Sequence, residues 1–192
     1  MKTASRMSAI AFAVLAIASS AAMAGNGTGF YVGGGLGYAG HQTYCEGVQD
    51  CSTSRLGFKA LAGYQIMPNL AIESSLGDTG RTRASGNGAT LMNKTQSFTI
   101  ATLGIYPVSK EVDLFGKLGM HRTKNKIEGN AFNLATSFSR NTSGLLAGIG
   151  AQYRFTPNLI GRVEYEYLNR AVYDLEGRKA INLVTASVLY QF

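Results

Sequence analysis

Residues 159–169, Leu-Ile-Gly-Arg-Val-Glu-Tyr-Glu-Tyr-Leu-Asn, alternate between two kinds of side chain. In an extended strand Val163 and Tyr165 fall on one face, and Arg162, Glu164 and Glu166 fall on the other. A water-soluble sheet would turn its charged face outward, whereas a membrane-spanning barrel would turn it inward. The alternation therefore predicts a β-strand, and the rest of the chain has to decide between these two environments.

Similar alternating segments recur along the chain. The connections between them are long loops and tight turns in alternation. We predict strands at residues 29–38, 55–66, 70–78, 95–106, 111–122, 143–154, 159–169 and 180–192. The tight turns, residues 67–69, 107–110 and 155–158, hold all three prolines, which cannot donate to a sheet ladder. The longer loops are residues 39–54, 79–94, 123–142 and 170–179. An even strand number, with short turns on one rim and long loops on the other, is typical of bacterial outer-membrane barrels. The pattern predicts an all-β fold, an eight-stranded antiparallel transmembrane β-barrel.

The N-terminus has the three regions of a secretory signal peptide. Lys2 and Arg6 precede an apolar stretch over residues 9–18, and small residues follow up to Ala24. The apolar stretch is too short for a spanning helix, which needs about 20 residues. We therefore expect residues 1–24 to be removed and residues 25–192 to form a single barrel domain. Cleavage would lower the net charge from +7 to +5, because the removed segment contains two basic residues and no acidic ones.

Three stretches of the mature chain resemble a known family. They are the Gly-rich first strand at residues 30–38, the Gly-Tyr and Pro-Asn-Leu hairpins at residues 63–70 and 157–159, and the terminal Val-Leu-Tyr-Gln-Phe at 188–192. Together they are similar to the OmpA-like outer-membrane β-barrel proteins, also called opacity-type porins. The resemblance implies a location in the bacterial outer membrane. It also implies that Tyr190 and Phe192 form the C-terminal signal for the barrel-assembly machinery. The resemblance does not extend to the family's peptidoglycan-binding domain, so we do not expect cell-wall anchoring.

Strand parity predicts which charged side chains point into the barrel. About eight strands enclose an interior that side chains can fill, so a side-chain-filled interior rather than an open pore is expected. The inward set contains three cations and four anions, which predicts an ion-paired network: Lys59, Glu73, Asp113, Lys117, Arg162, Glu164 and Glu166. A narrow porin-like channel is the alternative.

The two cysteines, Cys45 and Cys51, lie in the first long loop. An exported chain meets an oxidising compartment, so we predict a disulfide between them. His41 and Glu46 nearby do not complete a metal-ligand pattern, and no metal is expected. The Gly-rich run at residues 33–37 lacks the Lys-Ser/Thr of a phosphate-binding loop, so no cofactor is expected either.

Catalysis and nucleic-acid binding are disfavoured. The segment His121-Arg122-Thr123 departs from the His-x-Ser arrangement of the barrel enzymes that deacylate lipid A, so we predict that the protein is not an enzyme and that His121 is a surface or rim residue.

The basic residues are dispersed over predicted loops and strand tips, and this distribution does not favour nucleic-acid binding. Arg122, Lys124 and Lys126 are instead predicted to contact lipopolysaccharide. We expect a monomer with a structural or surface-interaction role, and a host or surface ligand would bind at the loops.

Overall fold

The computed structural model describes the backbone of residues 28–41, 54–86, 89–131, 134–174 and 177–192. Within these ranges it describes the side chains of residues 28–40, 56–78, 95–126, 139–171 and 180–192. The predicted signal peptide, residues 1–24, and the two cysteines Cys45 and Cys51 lie outside the described residues. No helix in the described part of the chain is long and apolar enough to cross a membrane.

The described chain forms one closed sheet of eight antiparallel strands. Each strand pairs with its neighbours in sequence, and the last strand pairs with the first. The strands are β1 (Gly29–His41), β2 (Ser54–Met67), β3 (Leu70–Gly86), β4 (Ala89–Pro107), β5 (Val112–Ala131), β6 (Leu134–Arg154), β7 (Leu159–Asp174) and β8 (Gly177–Gln191). The predicted fold class, an eight-stranded antiparallel barrel, is confirmed.

The strands are longer at one rim than the sequence pattern predicted. Residues 79–86 and 89–94 belong to β3 and β4, residues 123–131 and 134–142 to β5 and β6, and residues 170–174 and 177–179 to β7 and β8, although all three regions are loops in the sequence-based prediction. The prediction failed because a hairpin ladder needs only backbone partners. Outward side chains need to be apolar only where they face lipid. Beyond the membrane the sequence therefore loses its alternation of apolar and polar residues, although the two strands remain paired. We call this end the long-hairpin rim and the opposite end the short-turn rim.

The outer wall is apolar and the inner wall is polar. On β8, Val184, Val188 and Tyr190 are exposed, whereas Thr185 and Ser187 between them are buried. The same alternation runs around the barrel, and the most exposed apolar side chains include Leu118 at 70% and Ile149 at 67%. A continuous apolar outer surface of this kind fits lipid rather than water. The structure thus decides the question that the alternation in residues 159–169 left open.

Aromatic side chains mark the short-turn rim. The rings of Tyr153 and Phe155 lie 5.0 Å apart, and the rings of Tyr190 and Phe192 lie 5.1 Å apart. Aromatic rings with a polar edge are enriched where the hydrocarbon meets water, so this rim lies close to a membrane interface.

Glycines on the inner wall leave space for side chains of the neighbouring strands. A Cβ atom added to Gly35 of β1 would overlap Ser187 of β8, and one added to Gly63 of β2 would overlap the ring of Tyr31. The Gly-rich first strand therefore provides space for inward side chains of the strands beside it.

Candidate functional site

The barrel interior holds all seven charged residues of the predicted network. Each has a side chain that is almost completely buried, and together they come from β2, β3, β5 and β7: Lys59, Glu73, Asp113, Lys117, Arg162, Glu164 and Glu166. Six of the seven meet in one group in the interior, and Asp113 belongs to a second, smaller group toward the short-turn rim.

Lys117 has the most ionic contacts in the larger group. Its Nζ lies 2.7 Å from Glu73 Oε1, 2.6 Å from Glu164 Oε2 and 3.1 Å from Glu166 Oε1. An ammonium group has three N–H donors, so this geometry can use all of them on carboxylate oxygens. Lys117 therefore joins strands β3, β5 and β7 across the barrel.

Lys59 approaches the same two β7 carboxylates from β2. Its Nζ donates to Glu164 Oε1, and it lies 2.7 Å from Glu166 Oε2. Each oxygen of Glu164 and of Glu166 thus faces one of the two lysines. The two lysines and two glutamates form a closed ring of alternating charge.

Arg162 extends this group toward the short-turn rim. Its Nη1 pairs with Glu73 Oε2, and its Nη2 donates to Gln152 Oε1 at 3.2 Å. The Tyr31 hydroxyl also donates to Glu73 Oε2, at 3.0 Å. The guanidinium carbon lies 4.9 Å from the centre of the Phe115 ring, a distance at which a cation is attracted to the ring face.

The second group is built around Asp113. Asp113 Oδ2 accepts from Gln152 Nε2 at 3.0 Å and from Arg154 Nη2 at 3.0 Å. Arg154 was not among the predicted interior residues, and its side chain is 34% exposed at the rim. With Arg154 included, the interior pairs contain four cations and four anions. The sequence did carry a signal for this residue, because Arg154 follows the inward Gln152 by two positions on β6.

Apolar clusters flank the large ionic group on both sides. Toward the short-turn rim the buried apolar side chains are Tyr31, Leu61, Ala71, Leu103, Ile105, Phe115, Ile160 and Leu189. Toward the long-hairpin rim they are Ala39, Ala101, Leu146, Leu168, Ala171 and Ile181, with Leu183 packed against them. Charges withdrawn from water are tolerated when each has an opposite partner, and apolar layers on either side keep water from replacing these partners.

A bulge in β7 brings two backbone carbonyl groups into contact with interior side chains near the long-hairpin rim. The β7–β8 register shifts between Leu168 and Val172, and Arg170 has a φ of 56°, which non-glycine residues rarely adopt. His121 Nε2 lies 2.7 Å from the Asn169 carbonyl oxygen, and Asn125 and Thr142 donate to the Ala171 carbonyl oxygen. Because a carbonyl only accepts, His121 carries a proton on Nε2.

The remaining predicted residues have mixed outcomes. His121 is buried inside the barrel, so the prediction of a surface or rim histidine is wrong; β5 continues past this residue and its parity turns the ring inward. Arg122, Lys124 and Lys126 lie on β5 with exposed side chains, not on a loop. The side chain of Tyr190 points outward at the end of β8.

Three buried polar atoms of the interior stand outside the hydrogen-bond network of the described residues. Thr185 Oγ1, Ser187 Oγ and Arg162 Nε are buried and have no hydrogen-bond partner among the described residues. Within the same described side chains, no group of three or more His, Cys, Asp or Glu residues could hold a metal ion.

A closed eight-stranded barrel with an apolar outer belt and paired charges inside defines a small outer-membrane β-barrel protein. The chain belongs to the family described as "OmpA-like transmembrane domain", whose sequence profile matches residues 26–192.

Similar proteins support this assignment. Outer membrane protein A of Salmonella typhi is 27% identical over 192 residues, which cover 96% of this chain and 54% of the relative. Outer membrane protein P5 of Haemophilus influenzae is 29% identical over 181 residues, which cover 84% of this chain and 50% of the relative. The chain thus spans about half the length of the curated relatives it matches. These relatives place the protein in the bacterial outer membrane.

Solved structures share the fold at lower sequence identity. The neisserial surface protein A superposes with a TM-score of 0.60 at 18% identity, over 85% of this chain and 97% of that one. The attachment invasion locus protein Ail of Yersinia pestis, in complex with the heparin analogue sucrose octasulfate, gives a TM-score of 0.58 at 18% identity. That comparison covers 86% of this chain and 97% of the Ail chain.

Proposed function

We propose that this protein is a closed, non-conducting and non-enzymatic barrel that serves as a rigid scaffold in the outer membrane. It would hold its long hairpins at the cell surface for contact with other molecules. The observation that carries the proposal is the paired ionic group in the interior, in which Lys59, Lys117 and Arg162 meet three carboxylates between two apolar layers.

The strength of the closure follows from the number of contacts that would have to break. An ion passing through the barrel would need Lys117 to leave three carboxylates and Lys59 to leave two. Separating one buried charge from its partners costs several kcal/mol, and these separations would have to occur together. The interior therefore acts as a permanent seal.

The hairpins at the long-hairpin rim support the surface role. Strand β5 has 20 residues and β6 has 21, whereas a tilted strand crosses the hydrocarbon with about 9–11. About half of this hairpin therefore projects beyond the membrane. The rim with long connections faces the outside of the cell in outer-membrane barrels, so the projecting part would be available to a host or surface ligand. Ail, which shares the fold, binds a sulfated saccharide analogue in its structure, and a sulfated surface polysaccharide is one ligand to test here.

The experiment removes the projecting part and leaves the seal intact. Residues 127–138, at the tip of the β5–β6 hairpin, would be replaced by a two-residue turn, and the cells would be scored for adhesion and serum survival. A second variant shortens the β3–β4 hairpin by the same twelve residues, 82–93, and so tests the other long hairpin. Loss of adhesion or survival in either variant, with the barrel still assembled, is the expected result. Unchanged phenotypes after both deletions would contradict the surface role.

A narrow channel is the second candidate, and one observation favours it. Thr185 and Ser187 line the β8 side of the interior with buried hydroxyls that have no partner among the described residues, and such a surface can hold water. A channel beside the ionic group would show stable conductance steps in planar bilayers. Its ion selectivity would then change in the variants Arg162→Gln and Glu164→Gln.

A further inference from the structure

Strand β7 leaves its partner β6 near the long-hairpin rim. The β6–β7 register ends at the pair of Leu146 with Leu168, and the β7–β8 register resumes only at Val172. Residues 169–171 therefore have no register partner among the described residues of either neighbouring strand, and we call this segment the β7 strap. Arg170 at its centre has a positive φ, which is a strained conformation for a residue with a side chain.

Side chains of β5 and β6 hold the β7 strap where the ladder does not. His121 Nε2 donates to the Asn169 carbonyl oxygen at 2.7 Å. Thr142 Oγ1 and Asn125 Nδ2 donate to the Ala171 carbonyl oxygen at 2.8 Å and 3.2 Å. All three donors are inward side chains, so the strap is tied to the inner side of the wall.

The β7 strap covers part of the interior at this rim. Thr123 of β5 and Ala171 of the strap are both 0% exposed. A Cβ atom added to Gly144 would lie 2.0 Å from the Asn169 carbonyl oxygen, so the strap rests directly on β6. If the strap lifted, water would reach the polar side chains beneath it.

His121 is the one titratable group among the three donors. Its Nδ1 lies 3.0 Å from Thr123 Oγ1. Because Nε2 carries the proton that Asn169 accepts, the neutral Nδ1 accepts the hydroxyl hydrogen of Thr123. Protonation would turn Nδ1 into a second donor. The Thr123 hydrogen would then lose its acceptor in a place that is closed to water, which is costly.

The described side chains around His121 offer no anion to an imidazolium. Its register partners, Thr99 of β4 and Gly144 of β6, are uncharged. The apolar cluster that contains Leu146 separates it from the ionic group on the membrane side. On the other side, the next charged residue of inward parity on β6 is Arg140, which is itself a cation. A buried charge without an opposite partner is strongly disfavoured, so His121 is neutral while the strap is in place.

We propose that His121 is a pH-sensitive latch that holds the β7 strap in place when it is neutral and releases the strap when it is protonated. An exposed histidine takes up a proton near pH 6.5, so the released state gains a proton that the strapped state refuses. The strapped state is therefore fully favoured above about pH 6.5. Below that pH its advantage falls about tenfold for each pH unit. Release would also relieve the strained backbone of Arg170.

The latch goes beyond the scaffold role and does not depend on it, because its residues touch neither the ionic group nor the tips of the long hairpins. A barrel without any surface ligand could still release the strap in acid.

The test is amide hydrogen exchange, followed by mass spectrometry, on the barrel refolded in detergent micelles at about pH 7.5 and about pH 5. Rates are corrected for the intrinsic pH dependence of amide exchange. The amides of residues 169–174 and 177–179 report on the strap, and those of residues 112–118 are the internal reference.

Two variants separate titration from simple loosening. His121→Gln keeps an N–H donor but cannot titrate, and His121→Asn replaces it if it does not fold. Thr142→Val is the matched control, because it removes one bond to the strap and leaves His121 in place.

We expect opening of the strap in the wild type to increase about ten- to thirtyfold from the higher to the lower pH, with the reference segment unchanged. His121→Gln should lose this dependence on pH. Thr142→Val should open more at both pH values and keep the wild-type ratio between them. An unchanged rate in the wild type, or the same pH ratio in His121→Gln as in the wild type, would overturn the latch. Equal acceleration of the reference segment would also overturn it, since acid would then loosen the whole barrel.

Discussion

Replacing Lys117 by Met should strongly destabilise the barrel, because this lysine contacts three buried carboxylates that have only two other cations beside them. After the substitution Glu73, Glu164 and Glu166 would share only Lys59 and Arg162. The buried group would carry one uncompensated negative charge. Removing one partner from a buried ionic group costs about 3–5 kcal/mol, and we expect a loss of this size in the free energy of unfolding.

The assay is urea unfolding of the barrel refolded into phospholipid vesicles, followed by far-UV circular dichroism and by gel mobility, since the chain has ten Tyr but no Trp. Leu118→Met at the adjacent outward position is the control and should change the free energy of unfolding by no more than about 0.5 kcal/mol. The double variant Lys117→Met with Glu164→Gln restores charge balance. It should be more stable than the sum of the single changes by about 0.5–3 kcal/mol.

Two results would refute this reasoning. One is a loss in Lys117→Met no larger than that of the outward control. The other is strict additivity in the double variant, since additivity would mean that Lys117 and Glu164 do not interact.

Three further outcomes are expected. Gly144→Ala should destabilise the barrel by about 1–3 kcal/mol, because its Cβ would overlap a β7 backbone carbonyl oxygen, whereas Gly104→Ala, with nothing within 4 Å of its Cβ, should be nearly neutral in the same urea assay. Mass spectrometry of unreduced, alkylated protein should show no free thiol at Cys45 or Cys51, and two alkylated cysteines would disprove the disulfide. Phe192→Ala should lower the amount of assembled barrel in cells but leave refolding in detergent unchanged, and equal effects in both settings would argue against a role in the assembly signal.

Strand parity was enough to predict the two faces of the barrel wall. Alternation has a period of two residues, so one reliable strand such as residues 159–169 fixes which of its side chains share a face. Which face is the inside follows only once the even strand number and the alternating short turns and long loops indicate a membrane barrel. The structure has the same alternation on β7, where Arg162, Glu164 and Glu166 are buried and the tyrosines between them are exposed.

The pairing partners and the strand ends could not be predicted in the same way. Contacts such as Lys59 with Glu166, or Arg162 with Tyr31 and Glu73, depend on the stagger between strands, which no local pattern encodes. The bulge at Arg170 has no sequence signal either, because glycine or asparagine would be the usual residue at a positive φ. The parts of the hairpins that lie beyond the membrane have no apolar face. Their sequences therefore lack the alternation that predicts a strand, although their backbones remain paired.

The most direct test of the sealed interior is the conductance of the refolded protein in planar lipid bilayers. The wild-type barrel should insert without stable conductance steps, and Lys117→Met, which opens the ionic group, should produce them. Leu118→Met on the outer wall should remain silent like the wild type. A steady, large conductance in the wild-type protein would contradict the account, because the paired charges between the two apolar layers would then not close the barrel.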